Sequence, residues 1–172
     1  RTEYDTLEST GLLEHQNLEL VDGELINKMG KNRPHVNALI FVQAWLIRVF
    51  GWEFINPETP IDVAPEDNPT NEPEPDIIVL KRPSREFKGN PQPPDLHLVV
   101  EVSGFDLTKK AALYGRAEIV EYWVLDVAAR RLVVHREPAD GRYAAVTVYG
   151  EQETVAPLAA PTAEFPIAEA FR

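Results

Sequence analysis

A chain of 172 residues and 19.4 kDa, 44% hydrophobic and 26% charged, has the size and composition of one globular domain, read here as residues 1–172, and not of a disordered tail or a fibre. It contains no cysteine, which excludes disulfide scaffolds, thiolate nucleophiles, Cys-ligated zinc and iron–sulfur clusters, and suits a reducing cytoplasm as the expected location. Twenty-eight acids against seventeen bases leave a net charge of −11, so contact with nucleic acid needs a local basic patch, bound metal ions, or brief and weak binding.

No secretory signal is visible, and because Arg1 is not a natural start a trimmed leader is left open. In chain order, Leu18 to Ile26 alternates apolar and polar residues on either side of Asp22-Gly23, the two-residue signal of a β-hairpin. Asn32 can cap a helix whose first turn holds Pro34. From His35 to Phe50, Val36, Leu39, Val42, Leu46 and Val49 recur at helical spacing, and Ala38, Phe41 and Trp45 widen the stripe. Gly51 ends that helix. The apolar stretch Ala38 to Gly51 is broken by Gln43 and Arg48 and falls short of the roughly 20 residues a membrane span requires, so no membrane contact is expected.

Extended segments are predicted at Trp52 to Asn56, Pro60 to Val63, Asp76 to Leu80, and Leu96 to Val102. The last two are continuous apolar runs, as central strands covered on both faces require. A helix is predicted over Asp106 to Ala117, then three strands at Glu121 to Val127, Arg131 to Arg136 and Tyr143 to Tyr149. Phe165, Ile167 and Phe171 give the Pro- and Ala-rich tail something to dock. This order reads as an α/β domain with one mixed sheet. Its strand-rich final third, with exposed edges, makes a homodimer plausible.

Two acids interrupt the most apolar strands: Asp76 opens one and Glu101 lies inside the other. A carboxylate there is costly to desolvate without a cationic partner. A divalent metal with oxygen ligands is one such partner, and Lys, Arg or backbone amides are the alternative. Lys110 follows Glu101 on the next helix and shares a face with Asp106 at i and i+4; Lys109 points about 100° away. An ammonium beside a metal-bound water could orient it and offset charge on a phosphate, although a solvated Asp–Lys pair has the same spacing. Glu19 and Glu24 flank the hairpin turn, where solvated strand charges are the plain reading. His35 at a helix start fits phosphate binding or simple packing. His97, Tyr122 and Trp123 read as structural, and no histidine pair has zinc spacing.

Glu-Val-Ser at 101–103, Asp106-Leu-Thr-Lys-Lys110-Ala-Ala-Leu-Tyr114, Glu121-Tyr122-Trp123, Pro75-Asp76 and the Asp22-Gly23-Glu24 hairpin together resemble a widespread bacterial family of restriction-endonuclease-like domains. That family lies in the PD-(D/E)XK nuclease superfamily, and the resemblance runs over roughly Leu18 to Glu137. It implies a restriction-endonuclease-like core: a mixed central β-sheet flanked by helices, with an N-terminal hairpin and C-terminal strands. It further implies a metal-dependent endonuclease with DNA as transient substrate, Asp76 and Glu101 as ligands of Mg²⁺ or Mn²⁺, and Glu19 as a further site acid. The superfamily lysine is expected two positions after the second acid, where this chain has Ser103; Lys110 matches its displaced position on the helix. The link from Ser103 to Asp106 is shorter than the family's usual loop, which with the negative charge leaves an alternative: a nuclease-like fold serving only as a binding or assembly module. A two-carboxylate sugar hydrolase is a third reading, with no visible rim of aromatic platforms to support it.

Overall fold

The computed structural model describes residues 1–10, 18–27, 32–103 and 108–172. A short helix α1 (Thr2–Ser9) precedes a hairpin, β1 (Leu18–Val21) and β2 (Glu24–Asn27), and a long helix α2 (Arg33–Phe50). Then follow β3 (Ile55–Pro57), β4 (Ile77–Leu80), β5 (Leu96–Ser103), α3 (Thr108–Arg116), β6 (Glu121–Asp126), β7 (Arg131–Ala139) and β8 (Arg142–Gly150). Two short strands, β9 (Thr154–Val155) and β10 (Phe165–Pro166), pair with each other, and a 3₁₀ segment spans Ile167–Phe171.

The central sheet has six strands in the order β3-β4-β5-β6-β7-β8. Neighbours run antiparallel except β5 and β6, which are parallel and joined through α3. A parallel pair needs such a crossover, because a tight turn cannot return the chain in the same direction. The two faces of the sheet carry separate cores. Ile77, Val79, Leu98, Val100 and Val102 pack with Ala38, Val42 and Leu46 of α2. Ile78, Leu80 and Val99 pack with Leu113 and Tyr114 of α3. Burial on both faces is why these strands read as unbroken apolar runs.

Local chemistry sets the elements. The Asn32 side chain accepts the His35 amide at 3.0 Å, closing the first turn of α2. Gly51, at φ +93, ends it with its amide on the Ile47 carbonyl at 2.9 Å. Asp22 (φ +50) and Gly23 (φ +77) take the left-handed conformations of a tight hairpin turn. In α3, Gly115 lies against the start of β8, where a Cβ would stand 2.8 Å from the Arg142 Cα.

The structure departs from the sequence expectations in three places. Pro60 to Val63 is extended but joins no sheet. Pro60 has no amide proton, and the following amides bond the Pro73 carbonyl, the Pro91 carbonyl and the Asn68 side chain. Trp52 to Phe54 forms a 3₁₀ turn instead of a strand. Helix α1, whose only apolar side chains are Tyr4 and Leu7, was not anticipated, because so sparse a stripe carries no periodic signal. Asp106 lies outside the described residues, and its proposed pairing with Lys110 with it.

Candidate active site

Strand alternation brings the two acids to one face. The β4–β5 ladder pairs Ile77 with Val100 and Ile78 with Val99, so Asp76 continues toward Glu101. Asp76 has the parity of Ile78 and Leu80, and Glu101 that of Val99, which are the residues under α3. The main-chain ladder stops at Ile77, and the Asp76 carboxylate takes over: its Oδ2 accepts the Val102 amide at 2.8 Å. This bond holds the first acid one residue from the second.

Lys110 enters from the first turn of α3, buried, while Lys109 is exposed. Its Nζ donates to Glu101 Oε1 at 2.7 Å and lies 2.8 Å from Glu19 Oε2. Glu19 reaches in from β1, 5% exposed, and its Oε2 also accepts the Glu74 amide at 3.3 Å. One turn beyond Lys110, the Tyr114 hydroxyl donates to Glu101 Oε1 at 3.3 Å. The His35 imidazole lies at the rim, its Nε2 3.7 Å from Asp76 Oδ1. All four residues singled out in the sequence therefore meet at this corner: Glu19, Glu101 and Lys110 in direct contact, and Asp76 beside them through the ladder. Glu24 is exposed, and His97 stacks on Phe50 at 6.2 Å. Tyr122 and Trp123 are fully buried core residues. Tyr114 was the missed contributor; its i+4 spacing from Lys110 was the available signal.

The electrostatics follow from burial. Desolvation pushes Glu101 upward, Lys110 pulls it back, and Asp76 and Glu19 push it up again, to about 7. Burial favours loss of the Lys110 proton, but Glu101 and Glu19 outweigh it and hold the ammonium charged. Among the described residues, Glu101 and Glu19 share the Lys110 ammonium and the Asp76 charge also bears on Glu101, a crowding of negative charge that a cation would ease. Among the described residues no three His, Asp or Glu side chains form a ready-made metal cage. The donors at hand are the carboxylate oxygens of Asp76 and Glu101. Two carboxylates with water and a substrate phosphate suit Mg²⁺ or Mn²⁺, which favour oxygen and keep several waters.

The family model for Uma2, described as "Putative restriction endonuclease", matches residues 1–168. The chain belongs to the Uma2 family. Among solved structures, the Uma2 chain is similar to a protein from Anabaena variabilis titled a "putative nuclease belonging to DUF820". The two share 16% sequence identity and a TM-score of 0.69, over 90% of this chain and 89% of that one. At that identity the likeness establishes the fold. No curated protein matches the chain. No helix among the described residues is long and apolar enough to cross a membrane.

Proposed function

We propose that this Uma2 chain is a metal-dependent endonuclease that hydrolyses phosphodiester bonds of DNA. The observation that carries the reading is the buried Lys110 ammonium held between Glu101 and Glu19, on the face where the β4–β5 register sets Asp76 toward Glu101. Asp76 and Glu101 would hold Mg²⁺ or Mn²⁺, which supplies Lewis-acid polarisation of the phosphate and a more acidic water. Lys110 keeps its proton and offsets the charge that builds on the phosphate oxygens. Glu19 and the Tyr114 hydroxyl fix the ammonium and Glu101 in their places, and the Val102 amide orients Asp76. The reading takes DNA as a transient substrate in the cytoplasm, with two copies cooperating where both strands are cut.

Plasmid DNA incubated with the protein and Mg²⁺ or Mn²⁺ tests this. Wild type should nick or linearise the plasmid and EDTA should stop it. Asp76→Asn should lower the rate about 10³-fold, the scale of losing one preorganised electrostatic contact. Equal cleavage by wild type and Asp76→Asn would show that the site is elsewhere.

A second reading has its own observation: Lys110 already bonds both Glu101 and Glu19, so the cluster partly neutralises itself without a metal. On that reading the fold is a binding or assembly module. Calorimetric titration separates the two, since absence of Mn²⁺ binding at millimolar concentrations favours the module.

A further inference from the structure

An endonuclease of net charge −11 needs a local cationic surface for its polyanionic substrate, and the acid-rich corner around Asp76 and Glu101 cannot supply one. A separate cavity of about 380 Å³ opens on the α2-covered side of the sheet. Its walls include Arg33 and Asn37 of α2, Val127, Ala128 and Arg130 of the β6–β7 turn, and Arg172. Three arginines and no acid line it.

Arg33 and Arg130 differ in how the fold accounts for them. Arg33 is exposed in the first turn of α2, a turn without acidic residues, and no acid among the described residues pairs with it. A cation at a helix N-terminus opposes the helix dipole, so helix stability does not explain this one. Arg130 is held in place by Glu151 and by the Phe171 carbonyl at 3.4 Å, with its guanidinium 5.0 Å from the Phe171 ring centre. It is a fixed wall whose charge Glu151 offsets, which leaves Arg33 as a lining cation with no acid partner among the described residues.

The cavity shares its end of the sheet with the candidate site. Arg33 is two residues from His35, whose Nε2 is 3.7 Å from Asp76 Oδ1. On the other wall, the Val127 amide bonds the carbonyl of Ser103, two residues past Glu101, at 2.9 Å. We infer that this arginine-lined cavity seats a backbone phosphate flanking the scissile one, and so supplies the polyanion contact that the acidic surface denies. The inference rests on the endonuclease reading and assigns where its substrate strand runs. A guanidinium fork matches phosphate geometry, and a cavity of this size has room for the group.

Fluorescence anisotropy with a labelled DNA duplex, in EDTA so that no cutting occurs, tests it across a salt series. Arg33→Glu should weaken binding about tenfold or more and reduce the salt slope by about one phosphate contact. Arg33→Lys should keep most of the affinity. Arg85→Glu, in the Ser84–Glu86 turn beside Glu53, carries the same charge change as a control and should bind nearly as wild type does. Thermal melts confirm that each variant is folded. Wild-type affinity in Arg33→Glu, or equal losses in Arg33→Glu and Arg85→Glu, would overturn the cavity's role. Should wild type cut plasmid in a metal-dependent way while Arg33→Glu binds normally, the cavity assignment falls and the endonuclease reading stands. Should wild type neither cut nor bind, both fall.

Discussion

Two buried glutamates on neighbouring strands, Glu101 of β5 and Glu121 of β6, have opposite environments. Glu121 is 0% exposed and amply supplied with donors. Its Oε1 accepts Trp123 Nε1 at 2.9 Å and Arg136 Nε and Nη2 at 2.9 and 2.6 Å, and its Oε2 accepts the Leu158 amide at 2.8 Å. Arg136 Nη2 goes on to the Ala156 carbonyl at 2.6 Å, so the node clamps the C-terminal segment to the sheet. Around Glu101 the balance is reversed. One ammonium and one hydroxyl address it, while Glu19 and Asp76 add negative charge. A carboxylate matched by a guanidinium and an amide is a strut. One crowded by other carboxylates carries an electrostatic cost that folding alone does not explain, and such sites are candidates for chemistry.

The contrast breaks most readily at Glu121. Glu121→Ala leaves Arg136, the Trp123 indole and the Leu158 amide without their acceptor and should cost about 3–5 kcal/mol. Calorimetry should then show melting roughly 10 °C lower or more, and a wild-type melt would remove the distinction between the two sites. The pH response comes next. Because the folded Glu101 titrates near 7, above its ordinary 4.5, this group's contribution to stability is complete below pH 4.5 and is lost as pH rises through 7. The loss is about 3 kcal/mol at most, and Lys110 stays charged throughout. Without metal, wild type should lose stability relative to Glu101→Gln between pH 5 and 8, and Mn²⁺ should restore it increasingly with pH; parallel melting curves would contradict this. At fixed neutral pH in EDTA, Glu101→Gln should melt within about 1 kcal/mol of wild type or above it, since it removes a buried charge that repels its neighbours. Tyr114→Phe should have the smallest effect, about 1 kcal/mol, readable in urea unfolding.

The legible parts were those with local or periodic causes. Asp22-Gly23 announced the hairpin, Asn32, Pro34 and Gly51 bounded α2, and doubly covered strands appeared as apolar runs broken only by acids. Asp76 and Glu101 stand out in the sequence as acids in apolar strands and Lys110 by its place on the next helix, whereas Glu19 rests on the family resemblance, since no local pattern ties β1 to α3. What escaped depends on partners that no local pattern reveals. Pro60 to Val63 looks like a strand until Pro73, Pro91 and Asn68 take its hydrogen bonds. The role of Glu121 depends on Arg136 and Leu158, which later strands and loops deliver.

The hairpin that supplies Glu19 stands outside the six-stranded sheet. It is fastened by the Glu72 amide on the Leu20 carbonyl, the Gly23 amide on the Thr70 carbonyl and the Asp22 amide on the Asn71 side chain, each at 2.8 Å. A two-stranded ribbon is marginal by itself, so it can lift away while the main sheet remains intact. Deuterium should therefore enter the amides of Leu20 and Leu25 well before those of Val99 and Val100. Each excursion withdraws one of the two anions gripping Lys110, so the charge balance at the heart of the molecule fluctuates with the breathing of a small peripheral flap.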